Sequence, residues 1–407
     1  MTVTSTKIKD CTPLFDVIIV GGGLSGLMVA RYVNSSNLNR NNHEDKRQEI
    51  RWRLFEGSSR IGGRLQNDAD GDGRSMNIDL GAAWIWPRQQ PAIMRALVNH
   101  PTLGIRTFLQ PGQGYGSSTR IVGGAVEFVN KIYDELTNNK AQIQTEKPVT
   151  AMRRNSDRTI TVELESGESV RTLHAILAVP PRILSKTISF YPDLPDTKSA
   201  AMSSSETWMA GVTKVALVYK RSPAFWPLVV SEGDHLLSPR KRRPAFQCYD
   251  GSPFSSLSSS TNNNSDDEGE CTEKISVLTF FTLASLSNKN RDDAVLANEC
   301  AEQMCDSLSA DAIRKVPILD KYIRSYDEFY VKRWPLEQYI SHDTDPTGIT
   351  PHPEPIPELA QSEWDGMLLF AGTETDQNSP GVMEGAIGAA IRATKELSEK
   401  LPSLLLE

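Results

Sequence analysis

The run Val17-Ile18-Ile19-Val20 passes directly into Gly21-Gly22-Gly23-Leu24-Ser25-Gly26, and this junction constrains the fold more than any other stretch of the 407-residue chain. Four successive β-branched residues suit a strand covered on both faces, as in a parallel sheet. The glycines spell Gly-x-Gly-x-x-Gly, and Leu24 to Val33 continues as a helix. The first glycine permits a tight turn, the second lets a pyrophosphate approach the backbone, and the third lets helix and strand pack closely. The helix start offers N–H groups to the phosphates. Such turns also occur without a nucleotide, so context decides. Here Ile50 to Phe55 reads as the next strand and ends at Glu56, whose carboxylate can accept hydrogen bonds from ribose hydroxyls. Between them, Asn34 to Glu49 is rich in Asn and poor in apolar residues. It reads as an exposed connection and explains why Glu56 lies far from the glycines.

The next block favours FAD over NAD. Glu56-Gly57-Ser58-Ser59-Arg60-Ile61-Gly62-Gly63-Arg64 sets two glycines and a guanidinium just beyond the ribose-binding strand. Arg64 can pair bidentately with pyrophosphate oxygens, which a simple nicotinamide site seldom needs. A solvated surface arginine would leave the adjacent Gly62-Gly63 unexplained.

Farther on, Gly123 to Leu136 reads as a helix. Val149–Arg153, Thr159–Leu164 and Ser169–Leu173, separated by turn residues, suggest an antiparallel meander, and His174 to Val179 a further buried strand. Strands are expected at Thr213–Tyr219, Ile275–Leu283 and Met367–Phe370, and helices at Asp292–Leu308 and Gly381–Leu401. The Ser/Asn-rich tract Gly251 to Glu270 reads as a mobile loop.

A net charge of −7 argues against a general nucleic-acid binder and leaves a cationic small substrate open. Five scattered cysteines (Cys11, Cys248, Cys271, Cys300, Cys305) have no metal-type pairing, so neither a metal site nor a disulfide scaffold is expected. No stretch approaches the ~20 apolar residues of a membrane span. The start of the chain does not read as a secretory signal, and a cytoplasmic protein without a membrane partner is expected.

With these blocks in hand, the chain resembles the flavin-containing amine oxidase family, which includes monoamine oxidases, polyamine oxidases and lysine-specific histone demethylases. The likeness comprises Asp16–Ala30, Phe55–Leu65, Ile78–Trp86, Arg120–Leu136, Ala175–Leu184, Lys214–Trp226 and Phe370–Ala393. Its most specific part is Phe370-Ala371-Gly372-Thr373-Glu374-Thr375 followed by Pro380-Gly381-Val382-Met383-Glu384-Gly385-Ala386. The resemblance implies an α/β chain. A Rossmann-like FAD-binding domain of the glutathione-reductase type (residues 14–83, 112–182 and 345–407) would be interleaved with an α+β substrate domain (84–111 and 183–344). It implies that Gly21, Gly23, Leu24, Ser25, Gly26, Glu56, Gly57, Arg64 and Leu65 hold the cofactor's nucleotide half, with Val149 at the adenine. Gly81, Ala82, Ala83 and Trp84 would pass the isoalloxazine ring. Gly372 and Glu374 would lie beside the ribityl or phosphate moiety, and Gly381, Val382, Met383 and Ala386 would reach the flavin at a helix N-terminus. A helix start there suits the negative charge of reduced flavin. Lys214, inside an apolar strand, matches the family lysine that holds a water near flavin N5.

Three features depart from the family pattern. Counting from Trp334, the cysteine that bonds the flavin in monoamine oxidases falls at Asp343, so FAD is expected to bind non-covalently. The two tyrosines of the aromatic cage fall at Thr344 and Val382. Substrate-side candidates are therefore Trp84, Trp86, Thr344 and Val382, with Tyr339 another source of a ring. Finally, the stretch from Trp86 to Gly123 is short, so the roof of the cavity is expected to be reduced, or closed by a partner subunit or by the loop 251–270. None of His100, His174, His235 and His342 is expected to be catalytic.

The expected activity is oxidation of a small amine, by hydride transfer to flavin N5. Dioxygen would be the acceptor and hydrogen peroxide, with an imine or aldehyde, the products. The rival readings are a flavin desaturase or isomerase acting on C–C bonds and a flavoprotein without catalysis. A homodimer is allowed as the assembly state.

Overall fold

In the computed structural model the described residues are 13–41, 49–68, 75–110, 118–136, 142–220, 234–240, 242–254, 275–287, 290–343, 345 and 351–401. The chain opens with β1 (Leu14–Val20), α1 (Leu24–Asn41) and β2 (Trp52–Phe55), a β-α-β unit in which β1 and β2 pair in parallel, Val17 against Trp52. Three short strands follow, β3 (Trp84–Ile85), β4 (Thr107–Leu109) and β5 (Thr119–Ile121), forming a small antiparallel sheet in the order β3-β5-β4. After α2 (Glu127–Glu135) come β6 (Ile143–Gln144), β7 (Val149–Arg154), β8 (Ile160–Leu164), β9 (Ser169–Leu177) and β10 (Ser189–Tyr191).

The second half supplies β11 (Val212–Tyr219), β12 (Asp234–Leu236), β13 (Ala245–Asp250), β14 (Ser276–Leu283), α3 (Asp293–Asp306) and β15 (Glu328–Arg333). It ends with β16 (Leu368–Phe370) and α4 (Met383–Lys400). Two large sheets result. One has eight strands in the order β10-β7-β8-β9-β1-β2-β6, with β16 also paired to β9; the other has five, β12-β13-β14-β11-β15. Val17, Ile18 and Ile19 are wholly buried, as a run without alternation requires for a strand packed on both faces. All eight residues of β11 are likewise buried.

Three local readings are corrected. The Asn-rich stretch is not a loop from Asn34 onward, because α1 continues to Asn41. Asn and Ser are poor helix formers, but packing overrides that preference: Asn34 and Ser36 are buried and Arg31 is ion-paired to Glu135 of α2. The two strands expected at 169–173 and 174–179 are one strand, β9. Its first half pairs antiparallel with β8 and its second half in parallel with β16, while β1 lies along its other edge. The helix expected from Gly123 begins at Glu127, since Gly123 and Gly124 take φ of 94° and 82° in the turn before it. Among the described residues no helix is long and apolar enough to cross a membrane.

Candidate functional site

A cavity of about 730 Å³ extends from the turn after β1 to β11 and β14 of the five-stranded sheet. The glycines at its first end separate by what surrounds them. A methyl group on Gly26 would lie 1.9 Å from the Gly21 carbonyl oxygen, and one on Gly21 would lie 2.6 Å from that of Ala178. Close packing of α1 on the sheet therefore demands those two glycines. Gly23 is different: a methyl there would meet only the Gly63 Cα, at 4.0 Å. Among the described residues nothing explains that bare backbone, and it lines the cavity.

Glu56 follows β2 and is buried. It accepts hydrogen bonds from the Gly22 N–H at 2.6 Å and from the N–H and hydroxyl of Ser58, both at 2.8 Å. Arg60 shapes the next turn by donating to the carbonyls of Ile61, Gly63 and Leu65. Arg64 reaches the last segment of the chain, with its guanidinium 2.8 Å from Glu374 and 3.4 Å from the Gly381 carbonyl. Glu374 is only 2% exposed, and among the described residues neither of its oxygens accepts a well-directed hydrogen bond, although the ion pair to Arg64 is close. A buried carboxylate with lone pairs facing a cavity needs donors. The hydroxyls of a ribityl chain are donors of that kind. The bare Gly23 backbone and the unsatisfied Glu374 carboxylate both fit the FAD that the resemblance implies.

Every expected cofactor residue among Gly21, Gly23, Leu24, Ser25, Glu56, Gly57, Arg64, Leu65, Gly81–Trp84, Val149, Gly372, Glu374, Gly381–Met383 and Ala386 lines this cavity. Gly26 does not, because its place is in the helix–strand contact. Ser25 also ties the two ends of the chain together by donating to the Ala371 carbonyl. Trp84, Trp86 and Val382 line the cavity as well, whereas Thr344 lies outside the described residues, as does the loop beyond Phe254. Asp343 is exposed and does not line it. None of the described cysteines, Cys248, Cys300 and Cys305, lines it either. Tyr339 is corrected as a cage candidate. Its ring packs on Gly57, where an added methyl would come within 2.9 Å, so it belongs to the Glu56 end.

At the opposite end stands Lys214, 1% exposed. Its ammonium donates to the Asp79 carbonyl at 2.8 Å, the Gly81 carbonyl at 2.7 Å and the Tyr249 hydroxyl at 2.9 Å. Burial pulls its pKa down to about 7, against the opposing pull of the Asp79 carboxylate. Asp79 is itself raised by burial and held by Arg120 at 3.2 Å. Arg120 also donates to the carbonyls of Asp250, Gly251 and Ser252, fixing the turn that follows β13. Burial pushes the Tyr249 hydroxyl up so that it stays neutral. The Tyr249 ring lies 4.4 Å from that of Trp84, whose indole N–H donates to Gln110 at 2.8 Å.

The sequence reading missed Asp79, Arg120, Tyr249 and Gln110 as parts of this cluster. The charged Asp79 within Ile78-Asp79-Leu80 was the available signal. It also missed His352, which lines the cavity stacked on Trp208 with ring centroids 4.1 Å apart. Its setting, Pro351-His352-Pro353, has no pattern to mark it.

Two family models match the chain. "Flavin containing amine oxidoreductase" covers residues 102–398, and a Rossmann-like NAD(P)-binding domain covers residues 19–100. Among curated proteins the chain is similar to the flavin-containing amine oxidase A of Equus caballus, 26% identical over 290 residues, which is 70% of this chain and 47% of that protein. It is 25% identical to the B form of Sus scrofa over 285 residues, covering 69% of this chain and 47% of that protein. The chain thus spans about half the length of the curated relatives it matches. Among solved structures, cyclohexylamine oxidase from Brevibacterium oxydans superposes with a TM-score of 0.67 at 16% identity, over 96% of this chain and 100% of that one. Putrescine oxidase bound to putrescine gives 0.63 at 15%, over 96% and 99%. These two likenesses show the fold.

Proposed function

Since the chain belongs to the flavin-containing amine oxidoreductase family, we propose that it is an FAD-dependent oxidase of a small amine. The observation that carries this reading is one continuous cavity, with a nucleotide cradle at Gly21–Arg64 and a buried lysine at its far end. In this reading residues 14–83, 112–182 and 345–407 hold the cofactor, and 84–111 with 183–344 hold the substrate. The cofactor sits non-covalently, because no described thiol faces the cavity and Asp343 stands at the linking position. The free thiols suit a reducing, cytoplasmic setting.

When bound, FAD would supply a two-electron sink for the hydride on the carbon next to the amine nitrogen. With dioxygen as final acceptor the balance is R–CH2–NH2 + O2 + H2O giving R–CHO + NH3 + H2O2. The chain's own residues orient and tune. Glu56 and the Gly23 backbone would hold the nucleotide, Glu374 would accept from hydroxyls of the linker, and the start of α4 at Met383 would offer N–H groups to the ring. Lys214 holds a proton at Nζ that burial makes labile near neutral pH, and so can move one at the site of reaction. Trp84 and Phe281 line the cavity beside it, the Phe281 ring centroid 5.1 Å from Nζ. The fold neighbours are named for an apolar monoamine and for a diamine, and both fall within this reading.

The test is anaerobic mixing of the yellow protein with amines, amino acids and polyenes. Bleaching of the flavin band by an amine, followed by peroxide on aeration, supports the proposal. Bleaching by a polyene alone, or by nothing, overturns it.

A further inference from the structure

Trp86 lines the cavity with its ring 6.4 Å from that of Trp84, which packs in turn on Tyr249, the partner of Lys214. Both backbone groups of Trp86 are gripped by Gln90. The Trp86 N–H donates to Gln90 Oε1 at 2.9 Å, and the Trp86 carbonyl accepts from the Gln90 N–H at 3.0 Å. Gln90 is itself buried and lines the cavity.

Gln90 also stands at the cap position of a short helical segment, Pro91–Ile93, which runs on as the wider turn Met94–Val98. A side chain at a cap position ordinarily accepts from the second or third N–H of its helix. That of Gln90 does not. The proline at the first position has no N–H, and the Met94 N–H reaches the Gln90 carbonyl at 3.2 Å. The groups left open at this helix start are therefore those of Ala92 and Ile93. Glu384 takes both: one oxygen accepts from Ala92 at 2.8 Å and the other from Ile93 at 2.9 Å. Glu384 is buried, does not line the cavity, and directly follows Met383, which does. It lies in the first turn of α4, so the positive ends of two helices meet at one carboxylate.

We propose that Glu384 is a positioning residue for the cavity wall: it caps the Pro91 segment from the start of α4 and so frees the Gln90 side chain to clamp Trp86. The proposal rests on the oxidase reading only in taking the Trp84–Trp86 end as the place that receives an amine. Without the Glu384 carboxylate, the Ala92 and Ile93 N–H groups lack an acceptor, and such groups seek one. Gln90 Oε1 sits at the position that ordinarily serves them. By turning to them it lets go of Trp86. The wall thereby depends on the helix whose start faces the cofactor, 291 residues farther along the chain.

The experiment is hydrogen exchange of the holoprotein, resolved to the Trp86 amide by fragmentation. Glu384→Gln replaces one of the two accepting oxygens by a donor, and exchange at Trp86 should quicken about tenfold. Gln90→Ala should quicken it at least as much. The double variant should exchange no faster than Gln90→Ala alone, because the effect of Glu384 passes through Gln90; a residue that merely stiffens the region would add its own increment. Glu384→Asp, whose shorter arm draws the oxygens back, serves if Glu384→Gln does not fold. In turnover of benzylamine, or of whichever panel amine bleaches the flavin fastest, Glu384→Gln should raise KM about threefold and leave kcat within about twofold. In the Gln90→Ala background it should leave KM unmoved. Unchanged exchange at Trp86 in Glu384→Gln, or effects of the two variants that multiply, overturn the inference and leave the oxidase reading standing. Failure of every amine to bleach the flavin removes the oxidase reading, and the exchange cycle still decides this one.

Discussion

Replacing Gly23 and Gly26 in turn by alanine separates the two reasons for a glycine in this turn. Gly23→Ala adds a methyl that meets none of the described residues closer than 4.0 Å. Its carbonyl accepts the Leu27 N–H at 3.0 Å, so it caps α1, and alanine is a poorer cap than glycine. Against that, alanine restricts the unfolded chain by about 0.4–1 kcal/mol. The two effects roughly cancel, and the stability of the apoprotein should move by less than about 1 kcal/mol. Gly26→Ala forces a methyl to 1.9 Å from a backbone oxygen, which can be relieved only by separating α1 from β1. Overpacking of that severity should cost about 3 kcal/mol or more.

With FAD the order reverses. If the added methyl of Gly23→Ala displaces the pyrophosphate and costs one or two charge-assisted hydrogen bonds, affinity falls about a hundredfold. At a concentration of cofactor 100 times the wild-type Kd, the wild type gains about 2.7 kcal/mol and the variant about 0.4 kcal/mol. Over 407 residues the unfolding entropy is about 0.85 kcal/mol/K, so FAD should raise Tm by about 3 °C in the wild type and by less than 1 °C in Gly23→Ala. Thermal unfolding of apoprotein with and without FAD, together with flavin-fluorescence titration, measures both quantities. Wild-type affinity in Gly23→Ala, or an apoprotein as damaged as Gly26→Ala, refutes the assignment of Gly23 to the cofactor path.

Other outcomes follow from the Lys214 cluster and the Asp343 position. Lys214→Met should slow flavin reduction or reoxidation by tenfold or more while FAD remains bound, and equal rates in rapid-mixing experiments would remove Lys214 from the mechanism. Because Lys214 releases its proton near pH 7 when folded and near its ordinary value of 10.5 when unfolded, the unfolded chain binds the extra proton between those limits. Stability should therefore rise with pH across that window in the wild type and flatten there in Lys214→Met, as denaturant titrations would show. Arg120→Met leaves Asp79 buried without its partner and should cost about 3–5 kcal/mol, unless Asp79→Asn is introduced with it. Precipitation with trichloroacetic acid should release all yellow colour to the supernatant, and flavin in the pellet would contradict non-covalent binding.

The sequence was most legible where the determinants are local. A β-branched run followed by glycines marks a strand, a turn and a helix start within ten residues, and Glu56 directly follows the next strand. It was least legible where packing chooses. Arg31 and Glu135 lie on different helices, and their ion pair belongs to the tertiary contact that carries α1 through a stretch of poor helix formers. Strand β9 was read as two because its partner changes at mid-strand, which no alternation of side chains records. Tyr339 was placed at the wrong end because counting along a chain gives order and not distance. The rings that do stand near Lys214 come from segments around residues 84, 246 and 281, and of these only Trp84 and Trp86 were marked in advance.

Lys214 itself shows why finding a residue and finding its role are different problems. A lysine in a strand whose eight positions are all buried has to be satisfied from elsewhere, and the apolar run alone reveals that need. What satisfies it comes from two distant segments: the carbonyls of Asp79 and Gly81 before β3, and Tyr249 on β13. An ammonium has three protons, and these partners engage all three. For Lys214 also to hold a water, one bond must be shared or the proton given up. The two carbonyls are fixed by the backbone, so the Tyr249 hydroxyl is the partner with freedom to turn. A pKa drawn to about 7 makes the neutral amine accessible at ordinary pH, with a lone pair that a water can meet. The burial that made the residue conspicuous in the sequence thus also makes its proton easy to move.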